Sequence, residues 1–136
     1  MADDRTRVYY AMYMFAKNAS GEHLMPAFMT TKSHITSFAT TSCSSCAVYV
    51  FVINEDGRAS GPVEVHLSGT AGAASLLLLK VRSLHSLAVG VKYGGQQFDS
   101  EGNISTPETT SIKAGANADY RSTLPNASAA VLTIAR

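Results

Sequence analysis

The sequence predicts an all-β fold, an antiparallel β-sandwich of about eight strands with one N-terminal α-helix. Three observations lead there. After Pro26, short segments of alternating or continuous apolar character recur at intervals of about 10 residues, separated by clusters of Gly, Asn, Asp and Ser. Before that point, the stretch from Arg7 to Asn18 lacks Gly and Pro, is stopped by Gly21, and sets Val8, Met12, Phe15 and Ala16 on one stripe at helical spacing. Finally, 136 residues with 46% hydrophobic and 15% charged side chains make about one domain with a lightly charged surface. Residues 1–21 read as helix and cap and residues 22–136 as the sandwich, a single domain overall.

In the helix, Asp3 or Asp4 stands near the start as a cap. Tyr9, Tyr10, Tyr13 and Met14 make the side away from the stripe nearly as apolar as the stripe itself, so the helix is expected to be buried on more than one face. Those four residues are the candidate interaction surface, for a second domain or for a second copy of the chain.

The strands expected in order are 28–31, 35–40, 47–54, 63–67, 75–81, 87–93, 109–113, 118–124 and 129–135. Val63, Val65 and Leu67 alternate with Glu64, His66 and Ser68, which puts one face on a core and the other in water. Residues 47–53, Ala-Val-Tyr-Val-Phe-Val-Ile, are apolar on both faces and belong in mid-sheet with something over the outer side, for which the N-terminal helix is the nearest candidate. Asn54-Glu55-Asp56-Gly57-Arg58 reads as a turn between strands and residues 40–45 as a loop, while Tyr120 and Leu124 read as core.

Eleven basic residues oppose ten acidic ones, giving +1, and the cations are scattered, so the chain lacks an electrostatic footprint for nucleic acid. Its purely apolar runs fall far short of the roughly 20 residues that cross a bilayer as a helix, so membrane insertion is not expected. Met1-Ala2-Asp3-Asp4-Arg5 is not the start of a signal peptide, which leaves a cytosolic protein or a piece of a longer chain. The sequons at Asn18, Asn103 and Asn126 carry little weight.

Cys43-Ser44-Ser45-Cys46 is the one Cys-x-x-Cys. A strongly β-forming run follows it, where a thioredoxin-type site needs a helix N-terminus, and no His or Cys pair stands at ligand spacing to complete a zinc tetrahedron. Free thiols or a local disulfide come first, then a labile redox pair, then metal. His23, His34, His66 and His85 are dispersed and read as solvent-facing, and no cofactor is expected. Tyr93-Gly94-Gly95-Gln96 is the candidate sugar contact, an aromatic face beside exposed backbone and an amide; the competing reading is a strand end whose glycines permit a tight turn.

Four landmarks in order, Val8 to Ala16, Val52-Ile53-Asn54-Glu55-Asp56, Tyr93-Gly94-Gly95-Gln96 and Leu124-Pro125-x-x-Ser128-Ala129-Ala130, make the chain resemble the C-terminal region of the heparanase-like and β-glucuronidase family of retaining glycoside hydrolases. The resemblance implies an accessory sandwich that buttresses a (β/α)8 barrel, with extracellular or periplasmic location if the parent is a secreted glycosidase. In that family the acid/base and nucleophile carboxylates sit on the barrel, about 5 to 5.5 Å apart. No position here matches their motifs, so the chain itself is not expected to be an enzyme. The resembled sandwich also takes strands from before the barrel. Two rival readings stand beside the accessory one: a carbohydrate-binding module, and a free-standing surface or secreted interaction protein.

Overall fold

The computed structural model describes residue 14 and residues 23–25, 35–43, 45–54, 58, 60–67, 72–80, 92–97, 99, 101, 103–115 and 119–136. Nine strands occur among them: β1 His23–Met25, β2 Ile35–Thr41, β3 Val48–Asn54, β4 Gly61–His66, β5 Ala74–Lys80, β6 Lys92–Tyr93, β7 Thr110–Ile112, β8 Asp119–Leu124 and β9 Ser128–Ile134. Seven of the expected strands are found with ends shifted by one or two residues. Of the strand expected at 87–93 the described part is Lys92–Tyr93, and the one expected at 28–31 lies outside the described residues. β1 has no counterpart in the sequence reading, because three residues before a proline carry too little periodicity to register. The N-terminal helix also lies outside the described residues except for Met14, which is helical.

All ladders among the described residues are antiparallel. The larger sheet runs β1-β2-β3-β9-β5-β6, with β7 also on β5, and the smaller sheet is β4-β8. β3, apolar on both faces, sits inside the larger sheet between β2 and β9, as its pattern requires. β9 comes last in the chain yet occupies mid-sheet, pairing Val48 to Asn54 on one side and Ala74 to Lys80 on the other. The free edge of β5 is shared, with Leu79 and Lys80 on β6 and residues 74–76 on β7. Pro62 lies in β4, which has β8 as its one partner among the described residues; an edge strand tolerates the missing N–H.

Strand alternation gives the larger sheet two apolar faces. On the inner face Val48, Ala74, Leu132 and Ile134 pack with Ala39 and with Tyr120 and Val65 of the smaller sheet. Nearby, Val52 and Ala130 pack with Leu124 and Val63. The smaller sheet thus turns its alternate apolar residues inward and Glu64, His66 and Arg121 outward, as read from its pattern. Tyr120 and Leu124 are core, as expected.

On the outer face Phe51, Leu77, Leu79, Tyr93 and Val131 form a separate cluster with Met14, and half-buried Phe38, Tyr49, Ile104 and Ala129 pack around it. The rings of Phe38 and Phe51 stack with centroids 4.8 Å apart. Met14 is only 4% exposed. The sequence grouped Met14 with the outward tyrosines, but its side chain is taken up by this sheet face. A helix that is apolar all round offers the sheet more than one side, and an outer face of rings and branched chains provides the burial, about 1.5–3 kcal/mol for a side chain of this size. Tyr9, Tyr10 and Tyr13 lie outside the described residues.

Candidate functional site

The stretch chosen as the sugar contact is a tight turn. Tyr93 N–H donates to the Gln96 carbonyl at 2.8 Å, and Gln96 N–H returns the bond to the Tyr93 carbonyl at 3.0 Å. Between them Gly94 and Gly95 have φ of 54° and 76°, the two left-handed conformations of a type I′ hairpin turn. The Tyr93 ring is 2% exposed and belongs to the outer-face cluster, so it cannot offer a platform to a sugar. The reason is register: Tyr93 pairs with Leu79, which puts its side chain on the apolar face. Gly94 is further required by crowding. Its N–H donates to the Leu78 carbonyl and its carbonyl accepts from Glu108 N–H, both at 2.8 Å. A Cβ there would stand 2.6 Å from Pro107 Cβ and 2.9 Å from the Glu108 backbone.

Beside this turn lies an open cleft of about 670 Å³. Leu76, Leu78 and Ile112 supply apolar lining, Thr110 to Lys113 line it from the β7 side, and Arg121, Ser122 and Thr123 of β8 line it from the smaller sheet. Gly94, Gly95 and Glu108 complete it. The cleft therefore gathers two of the four predicted sugar-contact residues, while Tyr93 stays behind in the core and Gln96 closes the turn. Consecutive residues of both strands border it. Side chains alternate along a strand, so an unbroken run of neighbours means that each strand meets the cleft edge-on. The cleft is a gap between one edge of the larger sheet and one edge of the smaller.

The polar side chains nearby are engaged with each other on the outer side of β4 and β8. Arg121 Nε lies 2.8 Å from Glu64 Oε2, and His66 Nδ1 lies 2.6 Å from Asp119 Oδ1, both between register partners. All four side chains keep solvent contact, so these pairs hold register more than they stabilise the fold. The Asp99 carboxylate accepts from the N–H groups of Glu101 and Asn103 at 2.9 and 2.8 Å, which orders its own loop. Tyr120 Oη donates to the Gly72 carbonyl at 2.6 Å, and burial raises its pKa above the ordinary 10.0. Among the described residues, no three His, Cys, Asp or Glu side chains are grouped to hold a metal ion.

Two landmarks of the sequence meet at one carbonyl. Asn54, at the end of β3, donates through Nδ2 to the Pro125 carbonyl at 3.0 Å, and Ser128 Oγ donates to the same oxygen at 2.6 Å. Asn54 and Ser128 are register partners, and Ala127 between β8 and β9 has φ of 49°. The Asn-ending strand and the Leu-Pro-x-x-Ser turn are thus one structural unit, the point where the chain passes from the smaller sheet back into the larger.

Cys43 and Cys46 form a disulfide at the tip of the β2–β3 hairpin, the local bridge among the readings of the motif. Arg136 clamps the same loop. Its Nε donates to the Cys46 carbonyl at 2.9 Å, and its Nη2 donates to the Cys43 carbonyl at 3.3 Å and to Thr41 Oγ1 at 3.2 Å. Sequence reasoning missed Arg136, because a single arginine 90 residues from its partner leaves no local signal.

No family model matches the chain, and no curated protein sequence matches it. Solved structures do. A 4-O-α-L-rhamnosyl-β-D-glucuronidase from Fusarium oxysporum 12S superposes with a TM-score of 0.71 at 16% identity, over 92% of this chain and 29% of that one. The fold is one found within glycoside hydrolases. A family 44 xyloglucanase from Paenibacillus polymyxa follows with TM-score 0.68 and 12% identity over 96% of this chain and 23% of its own. A family 30 endoxylanase from Clostridium papyrosolvens C71 gives 0.62 and 18% over 93% and 27%. The chain thus spans between about a fifth and a third of the length of these enzymes. At such identities the likeness is one of fold.

Proposed function

We propose that this chain is a non-catalytic accessory β-sandwich of glycoside-hydrolase type, which packs the outer face of its larger sheet toward a catalytic barrel. The observation that carries this reading is the second core. The smaller sheet covers the inner face, and the outer face has its own apolar cluster in which Phe51, Tyr93 and Val131 are buried together with Met14, leaving half-buried Phe38 and Tyr49 at its margin. An apolar margin on a second core fits against a further structural layer.

The cleft supports the same reading. β8 meets it edge-on, and its β4 side is already paired. A strand laid along β8 would extend the smaller sheet and cover the edge. A strand supplied from elsewhere in the parent polypeptide, as the resemblance implies, fits that place. The disulfide agrees with an oxidising location outside the cytoplasm. The carbohydrate-binding alternative loses its aromatic platform with the burial of Tyr93.

Two measurements on the purified chain test the proposal. Aryl β-glucuronides and aryl β-xylosides should not be turned over; hydrolysis that disappears on Glu108→Gln or on changing any other single carboxylate would overturn it. Sedimentation should show self-association through the aromatic N-terminal segment, relieved by Tyr9→Ser with Tyr13→Ser while the β-sheet circular dichroism persists. A monomer at millimolar concentration, with residues 7–18 fully protected from hydrogen exchange, would mean that the chain closes its own outer face.

A further inference from the structure

The Cys43–Cys46 loop is held closed by more than its disulfide. Cys46 N–H donates to the Cys43 carbonyl at 3.2 Å, and the Arg136 guanidinium spans the carbonyls of both cysteines. Thr41 Oγ1, 2.9 Å from the Cys43 carbonyl, stands beside the guanidinium. None of these bonds involves a sulfur, so breaking the S–S bond leaves them in place and leaves the two cysteines facing each other across a Cα separation of 5.0 Å. The loop also lies outside both apolar clusters of the larger sheet. Opening the disulfide therefore costs the fold little and costs the pairing of the two sulfurs little.

The two cysteines differ in access and surroundings. Cys43 is exposed, while Cys46 is half-buried. Ser45 Oγ lies 3.5 Å from Cys43 Sγ, where it can donate to a thiolate, and the Arg136 cation is bonded at both ends of the loop. Exchange proceeds through whichever sulfur an attacking thiolate can reach, and here that is the exposed Cys43.

We propose that Cys43 and Cys46 form a reversible thiol–disulfide exchange site for low-molecular-weight thiols, with Cys43 the sulfur attacked and Cys46 the resolving thiol. The incoming thiolate bonds to Cys43 Sγ and the Cys43–Cys46 bond breaks, with its electron pair leaving on Cys46 Sγ. A second thiolate then attacks the external sulfur of the mixed disulfide. This releases the oxidised external disulfide and a Cys43 thiolate, which, like Cys46, takes its proton from solvent. Two external thiols are oxidised to one disulfide, and the protein disulfide is reduced by two electrons. In the reverse direction Cys46 closes on the mixed disulfide at high effective concentration, because the loop has not moved.

Glutathione is the probe. The full chain, equilibrated in millimolar glutathione buffers of graded oxidised-to-reduced ratio and quenched by alkylation, should interconvert between two forms, with thermal unfolding staying cooperative in both. Cys46→Ser should accumulate one glutathione on Cys43 by mass, and should do so about tenfold or more faster than Cys43→Ser does on Cys46. Arg136→Gln should slow reoxidation of the dithiol several-fold by loosening the loop. A disulfide that resists millimolar reduced glutathione would overturn the proposal. So would equal rates in the two single-cysteine variants, or loss of cooperative unfolding on reduction, which would make the bridge a structural staple.

Discussion

The two faces of the larger sheet are built from the same strands but closed by different means. The inner face is covered by the chain's own smaller sheet, so that Val48 and Ile134 have no exposure and Tyr120 has 1%. Its buried polar groups are satisfied as well: Tyr120 Oη has the Gly72 carbonyl, and Asn54 and Ser128 share that of Pro125. The outer face has an equally buried cluster, with Phe51 and Val131 at 1% exposure, and both faces have half-buried apolar residues at their margins, Phe38, Tyr49 and Ala129 on the outer and Val50, Val65 and Leu76 on the inner; what sets the outer face apart is the Thr40 hydroxyl, buried without a hydrogen-bond partner among the described residues. An orphaned hydroxyl costs stability that a paired one does not. Apolar patterning thus determines which surfaces are covered, and both are, whereas the pairing of buried polar atoms is complete on the inner face and leaves one hydroxyl over on the outer.

The largest expected break is on the inner face. Tyr120→Ala removes a wholly buried ring that joins the two sheets and should cost about 3–5 kcal/mol, measured by urea unfolding. A loss below about 1 kcal/mol would mean that the smaller sheet is not needed to close that face. Next, Met14→Ala should cost about 2–3 kcal/mol, a smaller loss because an unbranched, flexible side chain is removed in place of a ring that joins two sheets. A loss below about 1 kcal/mol at Met14 would mean that the outer cluster does not depend on it. Asn54→Ala leaves Ser128 as the remaining side-chain donor to Pro125 and should cost about 1–2 kcal/mol, and Asn54→Asp, which cannot donate, should be no better.

The smallest effect is a titration. The Tyr120 pKa is raised in the folded state, so the folded chain holds its proton where the unfolded chain has begun to lose it. That contribution is fully present below the ordinary tyrosine value of 10.0 and is lost as pH rises through the higher folded value. Tyr120→Phe should therefore flatten the decline in thermal midpoint above pH 10.0, at a cost near neutrality of about 1 kcal/mol for the lost bond to Gly72. An unchanged alkaline decline would assign it to other groups.

Much of the architecture was legible along the chain, because period-two alternation and turn residues act over a few positions. The burial of β3 on both faces, the water-facing side of β4, and the inward Tyr120 and Leu124 all followed from such local patterns. The site was less legible. Tyr93-Gly94-Gly95-Gln96 is compatible with either a displayed ring or a tight turn, and the pairing of Tyr93 with Leu79 chose between them by putting the ring on an apolar face. Met14 belongs to a segment with two apolar sides, so only the sheet it packs on could decide where its side chain goes.

Local pattern was enough for the antiparallel strands and the apolar mid-sheet strand found among the described residues, and for landmarks that resemble those of a glycosidase accessory domain. Tertiary structure alone decided the placement of β9 between β3 and β5, the edge-on cleft between β7 and β8, the meeting of Asn54 with Pro125, and the clamp of Arg136 on the cysteine loop. The physical reason is separation. Alternation and turn chemistry act between neighbours, but Asn54 stands 71 residues from Pro125 and Arg136 stands 90 from Cys46. Partners that far apart are selected by the closure of the whole sheet.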